Sequence, residues 1–201
     1  MSDLERSTPG QSPVFPSLVQ IRTRRLLLRT VTMDDVEDVA RSWRLDGQPL
    51  SRSEAEHQVR RMLANHRRNA EEDFVHLCLA IIHKETREFI GWCGLDHRDR
   101  TKPNPVLFYL VKAGYRGRGL ATEAAQALLD RAFAELGHDR IDGHAELENL
   151  ASKRVMEKIG MSLIEQDDDY HFTIPRVDPG SLDVARDRRG LGAGEKPGSV
   201  L

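Results

Sequence analysis

A glycine-rich turn near the middle of the chain has residue types and spacing suited to binding a phosphate. It reads Arg116-Gly117-Arg118-Gly119 and lies between an apolar strand pattern and a helical pattern that opens with Leu120-Ala121. The first turn of a helix exposes backbone N–H groups without internal partners, and the helix dipole makes that end positive. Because glycine has no Cβ, these amides can approach a phosphate closely. The turn therefore predicts a diphosphate site rimmed by two arginines, the alternative being a tight turn with solvated arginines.

Two common nucleotide-binding motifs match this turn poorly. A P-loop needs Lys followed by Ser or Thr after its second glycine, whereas Leu120 and Ala121 follow Gly119. The Rossmann fingerprint needs Gly or Ala at its sixth position, which is Thr122 here. Its strand should also begin a βαβ unit, whereas this strand follows a series of hairpins.

Several titratable side chains in the strand patterns could relay a proton. His144 and Glu146 alternate along one strand, so their side chains point to the same face of the sheet. We prefer Glu146 as the base because it can ionise and lies close in sequence to the turn at Asn149. The other candidates are Asp96 and His97 at the end of one strand, and Tyr109 on the strand before the glycine turn. Each alone is more often a surface or packing residue.

Composition bounds the class of protein. The 201 residues include 30 basic and 32 acidic side chains, so no basic excess favours nucleic-acid binding. No apolar run is long enough to span a membrane, and the acidic N-terminus is unlike a signal peptide. Cys78 and Cys93 lie in separate apolar segments and match no metal motif or disulfide framework. We therefore expect two buried thiols in a cytoplasmic protein that binds neither nucleic acid nor membrane and holds no metal.

The chain divides by composition into three parts. Residues 1–18 are rich in Ser, Pro and Gly, which predicts a flexible N-terminal arm. Residues 179–201 are rich in Gly, Arg and Asp without periodicity, which predicts a disordered C-terminal tail. Residues 19–178 carry the regular apolar patterns and should form one globular domain.

Within that domain, the patterns predict a mixed α/β fold in the order β-α-α-β-β-β-α-β-α-β-β. Thr32 should cap the first helix, and Ser51 with Glu54 forms a capping box for the second. The long third helix, about 120–136, should end at Gly137, and Asn149 should cap a short fourth helix. The predicted strands are about 26–28, 74–82, 88–95, 105–111, 140–147, 161–165 and 171–177, with the acidic run 167–169 in the last connection.

Three segments together resemble a known family. Residues 115–124 resemble the acetyl-CoA signature of the GNAT superfamily of N-acetyltransferases, which is Arg or Gln, two free positions, Gly, one free position, then Gly or Ala. Arg116, Gly119 and Ala121 fill that pattern.

The other two segments resemble the branch that contains the ribosomal-protein N-terminal acetyltransferases. Asn149-Leu150-Ala151-Ser152, then Glu157-Lys158-Ile159-Gly160-Met161, is similar to its pattern Asn-x-x-Ser followed by Glu-Lys-x-Gly-Phe. The opening Thr23-Arg24-Arg25-Leu26-Leu27-Leu28-Arg29 is similar too, and the whole resemblance spans about residues 23–177.

The resemblance implies a GNAT-like acyl-CoA N-acyltransferase fold, with a central, mostly antiparallel mixed sheet flanked by helices. It implies acetyl-CoA as cosubstrate, with the pyrophosphate held by amides from Gly117 to Ala121. The pantetheine arm would lie along a strand that splays from its neighbour, and Asn149 would contact this arm as well as capping its helix. The implied cofactor-binding residues are Leu110, Val111, Lys112, Arg116, Gly117, Arg118, Gly119, Leu120, Ala121 and Asn149.

The implied activity is direct attack of a neutral primary amine on the thioester in a ternary complex, with an amide near Leu110 polarising the carbonyl. Many family members protonate the departing thiolate with a tyrosine, whose place Met156 takes here. Ser152 is then the candidate acid, the alternative being a helix residue bonded to backbone. The acceptor, a small amine or a protein N-terminus, should enter between the first two helices and the loop before the last strand. There the run 167–169 could attract a cationic amine or be a solvated turn.

Other functions stay open at this point. The fold could serve a non-catalytic acyl-CoA-binding regulatory module, because fold does not guarantee activity. The chain could instead be a nucleotide-binding protein of another class. Within the enzyme hypothesis, an aminoglycoside-like antibiotic is the alternative acceptor, and a homodimer is possible.

Overall fold

The computed structural model describes residues 19–42, 44–45, 48–71 and 74–176. The predicted arm 1–18 and tail 179–201 lie outside these ranges, and so does residue 177 of the last predicted strand. The strands are β1 (Gln20–Arg22), β2 (Leu26–Thr30), β3 (Arg44–Leu45), β4 (Gln48–Pro49), β5 (His76–His83), β6 (Phe89–Asp96), β7 (Val106–Val111), β8 (Arg140–Glu146), β9 (Ser162–Gln166) and β10 (Asp169–Pro175). The helices are α1 (Val36–Ser42), α2 (Arg52–Glu71), α3 (Leu120–Glu135) and α4 (Leu150–Lys158), with 3-10 turns at Met33–Asp35 and Ala113–Tyr115.

Eight strands form one mixed sheet in the order β1-β2-β5-β6-β7-β8-β10-β9, and β3 and β4 form a separate hairpin. Every neighbouring pair in the large sheet is antiparallel except β7 with β8, which is parallel. The predicted mixed, mostly antiparallel sheet is thus confirmed. In the ranges described, no helix is both long and apolar enough to cross a membrane.

Helices cover both faces of the sheet. Because side chains alternate along a strand, Leu107 and Val111 of β7 join the core under α3 and α4, whereas Phe108 and Leu110 pack toward α1 and α2. Leu128 of α3 is almost fully buried, and a buried leucine contributes about 2 kcal/mol. The two cores hold the central strands, and with them the start of α3, in fixed positions.

The predicted helix ends are confirmed at several residues. Ser51 N–H donates to Glu54 Oε2 over 2.7 Å and Glu54 N–H donates to Ser51 Oγ over 3.3 Å, which is the predicted capping box. Gly137 follows α3 with a left-handed φ of 68°, and Asn149 Oδ1 accepts from Ser152 N–H over 3.1 Å. Asp169, however, begins β10 rather than lying in the preceding connection, where the sequence placed it. Asp169 pairs with Glu146 and Tyr170 with Ala145 of β8, so β10 begins two residues before the predicted strand.

The short strands were not predicted. β1 has three residues, and β3 and β4 have two each, so they carry too little alternation for a sequence pattern to show.

The parallel pair β7–β8 parts soon after it begins. The register pairs Val106 with Asp142 and Leu107 with Gly143, and no later residues of the two strands pair. On the other side, β7 stays paired with β6 as far as Val111. One edge of β7 is therefore open over its second half, directly before the glycine turn.

Candidate active site

The glycine turn forms an open cradle at the start of α3. Gly117 and Gly119 have φ values of 73° and 72°, in the left-handed region that disfavours residues with a Cβ. A Cβ on Gly117 would meet no atom within 4 Å, and one on Gly119 would meet only Arg25 Nη2, at 3.6 Å. The space above both glycines is thus free for a ligand.

Three amides point out of this cradle. The first helical hydrogen bond runs from Glu123 N–H to Gly119 O over 3.1 Å. The N–H groups of Leu120, Ala121 and Thr122 therefore have no acceptor within the helix. Gly119 is the N-cap residue, and no side chain accepts a capping hydrogen bond there. Free amides at a positive helix end, with no Cβ in the way, suit the diphosphate of a coenzyme.

Arg25, to which the sequence resemblance gave no role, braces the turn. Arg25 donates from its backbone N–H and from Nε to the Glu123 carboxylate over 2.8 and 2.6 Å, and from Nη1 to Arg118 O over 2.9 Å. Thr23 Oγ1 donates to the same carboxylate over 2.6 Å. Burial would raise the pKa of Glu123, but these donors outweigh burial and lower it. The ion pair thus ties the turn to the segment before β2.

Three predicted cationic side chains have partners within the protein. Arg116 Nε donates to Val111 O over 2.9 Å, so this side chain folds back onto β7. The Arg118 guanidinium lies 5.5 Å from the centre of the Tyr115 ring. Lys112 Nζ donates to Asp38 of α1 over 2.9 Å, away from the turn.

The open edge of β7 presents specific peptide groups. Lys112 N–H donates to Ile90 O of β6 over 2.7 Å. Because successive peptide groups in a strand face opposite edges, the Leu110 peptide also faces β6, whereas those of Tyr109 and Val111 face the open edge. Leu110 and Lys112 can therefore reach a ligand at this edge only through their side chains, and Val111 through its peptide.

The Tyr109 hydroxyl contacts the backbone of Ser152 near the start of α4. Tyr109 Oη donates to Ser152 O over 3.0 Å, and burial raises the pKa of Tyr109 to about 12. The Ser152 side chain lies half-buried one turn into α4, after Asn149. Met156 is buried, with its Sδ 3.2 Å from where a Cβ of Gly143 would lie, and it has no hydrogen to donate. Of Tyr109, Ser152 and Met156, only Tyr109 and Ser152 carry a hydroxyl that could donate a proton at this end of the opening.

A cavity of about 570 Å³ lies on the α2 side of the sheet. Residues from α2, β5, β6, β7 and β8 line it, among them Met62, His76, Asp96, Phe108 and His144. The Phe108 ring stacks on His76 with 5.4 Å between centroids. It lies across Gly94, where a Cβ would come within 2.3 Å of the ring. A glycine inside a strand pattern is the sequence signal for such a close approach.

The cavity has ionised groups at its wall. Burial alone would raise the pKa of Asp96, but hydrogen bonds from Arg98, with His76 Nδ1 3.6 Å away, hold it well below its usual range. Arg98 donates from Nε and Nη2 to the Asp96 carboxylate over 2.9 and 2.5 Å. Burial raises the pKa of the Cys78 thiol, which also lines the cavity, to about 12. Cys78 therefore stays a neutral thiol, and Cys93 is buried in the other core.

Of the residues considered as a base, the structure brings His144 and Asp96 to the cavity, and the Asp96 carboxylate accepts hydrogen bonds from Arg98. Glu146 shares the face of β8 with His144, as predicted, but is exposed and does not line the cavity. His97 Nε2 lies 3.1 Å from Lys102 O in the following loop. The exposed Asp167 and Asp168 do not line the cavity.

His144 is held by two neighbours on β10. Its Nδ1 lies 3.1 Å from Asp169 Oδ2, and its ring stacks on His171 with 4.4 Å between centroids. His171 Nε2 lies 3.7 Å from Asp142, which accepts from Thr173 Oγ1 over 2.6 Å. The described residues include no group of three or more His, Cys, Asp or Glu arranged to hold a metal ion.

Comparison with known proteins agrees with this geometry. Residues 25–162 match the family model described as the acetyltransferase (GNAT) domain. The chain is 35% identical over 80 residues to the uncharacterized N-acetyltransferase p20 of Bacillus licheniformis, a match covering 40% of this chain and 45% of that protein. The chain spans between 29% and 46% of the length of the curated relatives that it matches.

Solved structures share the fold over nearly their whole length. An acetyltransferase from Agrobacterium tumefaciens str. C58 is 29% identical, with a TM-score of 0.61 over 87% of this chain and 98% of that one. A ribosomal L7/L12 alpha-N-protein acetyltransferase in complex with coenzyme A has 15% identity and a TM-score of 0.65, over 78% and 98% of the two chains. Since the family model covers more than half of the sequence, this chain belongs to the GNAT acetyltransferase family.

Proposed function

We propose that this protein transfers the acetyl group of acetyl-CoA to a primary amine by direct attack. One observation carries the proposal: the open edge of β7 runs directly into the free amides at the start of α3. An extended arm ending in a diphosphate fits such a path, with the arm on the strand edge and the diphosphate at the helix start. Coenzyme A has this shape, and a structural neighbour with the same fold holds it.

The proposed coenzyme contacts follow from the geometry. Amides from Gly117 to Ala121 hold the pyrophosphate, and Arg118 lies close enough to add positive charge. The Val111 and Tyr109 peptides pair with the pantetheine arm and polarise the thioester carbonyl. Arg116 occupies Val111 O in this structure, so we propose that its side chain swings toward the phosphates when the arm binds. Asn149 contacts the arm from the start of α4.

The chemistry needs one bond made and one broken. The amine nitrogen attacks the thioester carbonyl carbon, and the C–S bond then breaks. Starting from an ammonium ion, the acceptor loses two protons, of which one ends on the coenzyme sulfur and one goes to solvent. Ser152 or Tyr109, whose hydroxyl contacts the Ser152 backbone, can supply the sulfur proton and be replenished from water.

The acceptor amine enters the cavity on the α2 side. A volume of about 570 Å³ lies within the range of small-molecule sites and also suits the first residues of a peptide. The neighbour with coenzyme A acts, by its name, on the N-terminus of a ribosomal protein. We therefore propose a protein N-terminus or a small primary amine as the acceptor.

A screen of acceptors tests the proposal. The protein is incubated with acetyl-CoA and a panel of N-terminal peptides, polyamines and aminoglycosides, while released thiol and acetylated product mass are followed. Thiol release matched by one acetyl group on an amine supports the proposal. Coenzyme A binding without turnover across the panel would instead favour a regulatory acyl-CoA-binding module. Stabilisation by ATP or NAD but not by coenzyme A would favour another class.

A further inference from the structure

We infer that His144, held by Asp169, is the base that takes the proton from the acceptor ammonium, an inference that rests on the proposed function. Glu146, two residues further along β8, is the alternative that the sequence favoured. The two side chains share a face of the strand, so position along the strand and surroundings decide between them.

Position favours His144. It is the first residue of β8 beyond the last pair with β7, Leu107 with Gly143. It therefore lies at the point where the opening for the coenzyme begins, and it also lines the cavity proposed for the acceptor. A base must lie between these two places, because the amine attacks the thioester there. Glu146 lies beyond this point and is exposed.

The contact with Asp169 sets which ring nitrogen can accept a proton. A carboxylate oxygen 3.1 Å from Nδ1 favours the tautomer in which Nδ1 carries the hydrogen and donates it to Asp169. Nε2 then has the free lone pair, and in the described part of the chain it has no hydrogen-bond partner. A carboxylate also stabilises the imidazolium formed when Nε2 takes a proton, so Asp169 is a positioning residue here.

The ring is also fixed in orientation. His171 stacks on it from the neighbouring strand with an angle of 14° between the ring planes. This stacking restricts rotation of the His144 ring out of its plane. The charged and titratable groups facing His144 from the elements around it are Asp169 and His171 of β10, Asp142 and Glu146 of β8, and His76, Asp96, Arg98, Asp99 and Lys102 across the cavity.

The proton balance is simple. Nε2 takes one proton from R-NH3⁺ to give R-NH2, and the imidazolium releases that proton to solvent before the next turnover. The second nitrogen proton leaves after the attack, and the coenzyme sulfur gains one. No oxidant, reductant or further reactant is needed.

His144→Gln and Glu146→Gln form the matched pair of variants for the test. With an acceptor from the screen, H144Q should lower kcat about 100-fold at neutral pH, and E146Q should lower it less than about threefold. In the wild type and E146Q, kcat should rise with pH as the base loses its proton, and this limb should be absent in H144Q. Coenzyme A affinity, measured by calorimetry, should be the same in all three proteins, which also shows that the variants fold.

Asp169→Asn has a readout that does not depend on activity. Nitrogen NMR of the imidazole rings should show Nδ1–H with bare Nε2 for His144 at high pH, and D169N should shift the population toward Nε2–H. The same variant should lower kcat about tenfold.

The inference is wrong if H144Q keeps the rising limb and near-wild-type kcat, or if E146Q loses both. It is also wrong if His144 carries its proton on Nε2 in the wild type. If the wild-type protein acetylates no amine in the panel, the proposed function fails first and the inference fails with it. An active wild type with an active H144Q overturns the inference alone.

Discussion

The proposed site has a coenzyme end and an acceptor end, and these are built from different parts of the chain. The coenzyme end consists of main-chain groups: three free amides at the start of α3 and the peptides on the open edge of β7. The acceptor end consists of side chains from five elements, several of them ionised or titratable. Backbone amides recognise any diphosphate and tolerate most substitutions that keep the chain path. Side chains discriminate between acceptors and respond to pH, so the two ends should fail in different ways.

The largest expected effect is at the coenzyme end. Gly119→Glu places a carboxylate in the cradle, where it meets the diphosphate by bulk and by like charge, and φ of 72° strains any residue with a Cβ. Coenzyme A affinity should fall at least about 100-fold, which corresponds to about 3 kcal/mol. Calorimetric titration with coenzyme A measures it.

Gly137→Glu is the matched control for Gly119→Glu. Gly137 lies just after the other end of α3 with φ of 68°, and a Cβ there would meet no atom within 4 Å. The two variants should lose similar stability, about 1 kcal/mol from the left-handed backbone, while only G119E loses coenzyme affinity. Equal affinity in both proteins would show that the diphosphate binds elsewhere.

The next effect concerns the junction between the two ends. Ser152→Ala and Tyr109→Phe each remove one hydroxyl from the pair at the start of α4. The donor that protonates the thiolate should be the one whose loss lowers kcat about tenfold or more with little change in the KM for acetyl-CoA. The other variant should stay within about threefold of the wild type.

Acetyl donors whose thiols differ in pKa can separate loss of proton donation from loss of packing in these two variants. An acetyl thioester with a more acidic thiol needs less help from an acid, so the damaging variant should recover part of its loss with such a donor. An undiminished loss with the more acidic thiol would assign that hydroxyl a packing role instead.

Much of the coenzyme end could be predicted from the sequence because its determinants are local. Gly117, Gly119 and the helix pattern that follows are contiguous, and their backbone geometry depends on residue type at those positions. The strand that feeds the turn was predicted too. The direction in which each peptide group of β7 points was not predicted, because it depends on the register with the neighbouring strand. In the structure the Leu110 peptide faces β6.

The acceptor end could not be predicted in the same way because its residues meet only through the sheet order. His144 and Asp169 are 25 positions apart and touch because β8 pairs with β10. Arg25 and Glu123 are 98 positions apart, and only the packing of α3 beside β2 brings them together. The sequence placed Glu146 and His144 on one face correctly but could not show which of them faces a cavity.

The smallest expected effect is on stability at the acceptor end, and it depends on pH. Asp96 has a pKa below its usual range in the folded protein, because the donors of Arg98 outweigh the cost of burial. A carboxylate with a depressed folded pKa stabilises the fold above the pKa of the unfolded chain, about 4, and this contribution is lost as pH falls below that value. Asp96→Asn should therefore cost about 1 kcal/mol at pH 7, a modest figure because the side chain is 30% exposed. Urea unfolding at pH 7 and pH 3.5 should show the difference in unfolding free energy between the wild type and D96N shrinking at the lower pH.

Asp168→Asn, in the exposed turn before β10, is the control. It removes the same charge and should show no such pH-dependent difference from the wild type. A difference in unfolding free energy for D96N that stays constant over this range would mean that Arg98 holds the loop after β6 through other contacts. The acceptor end would then depend less on ionised side chains than the comparison of the two ends implies.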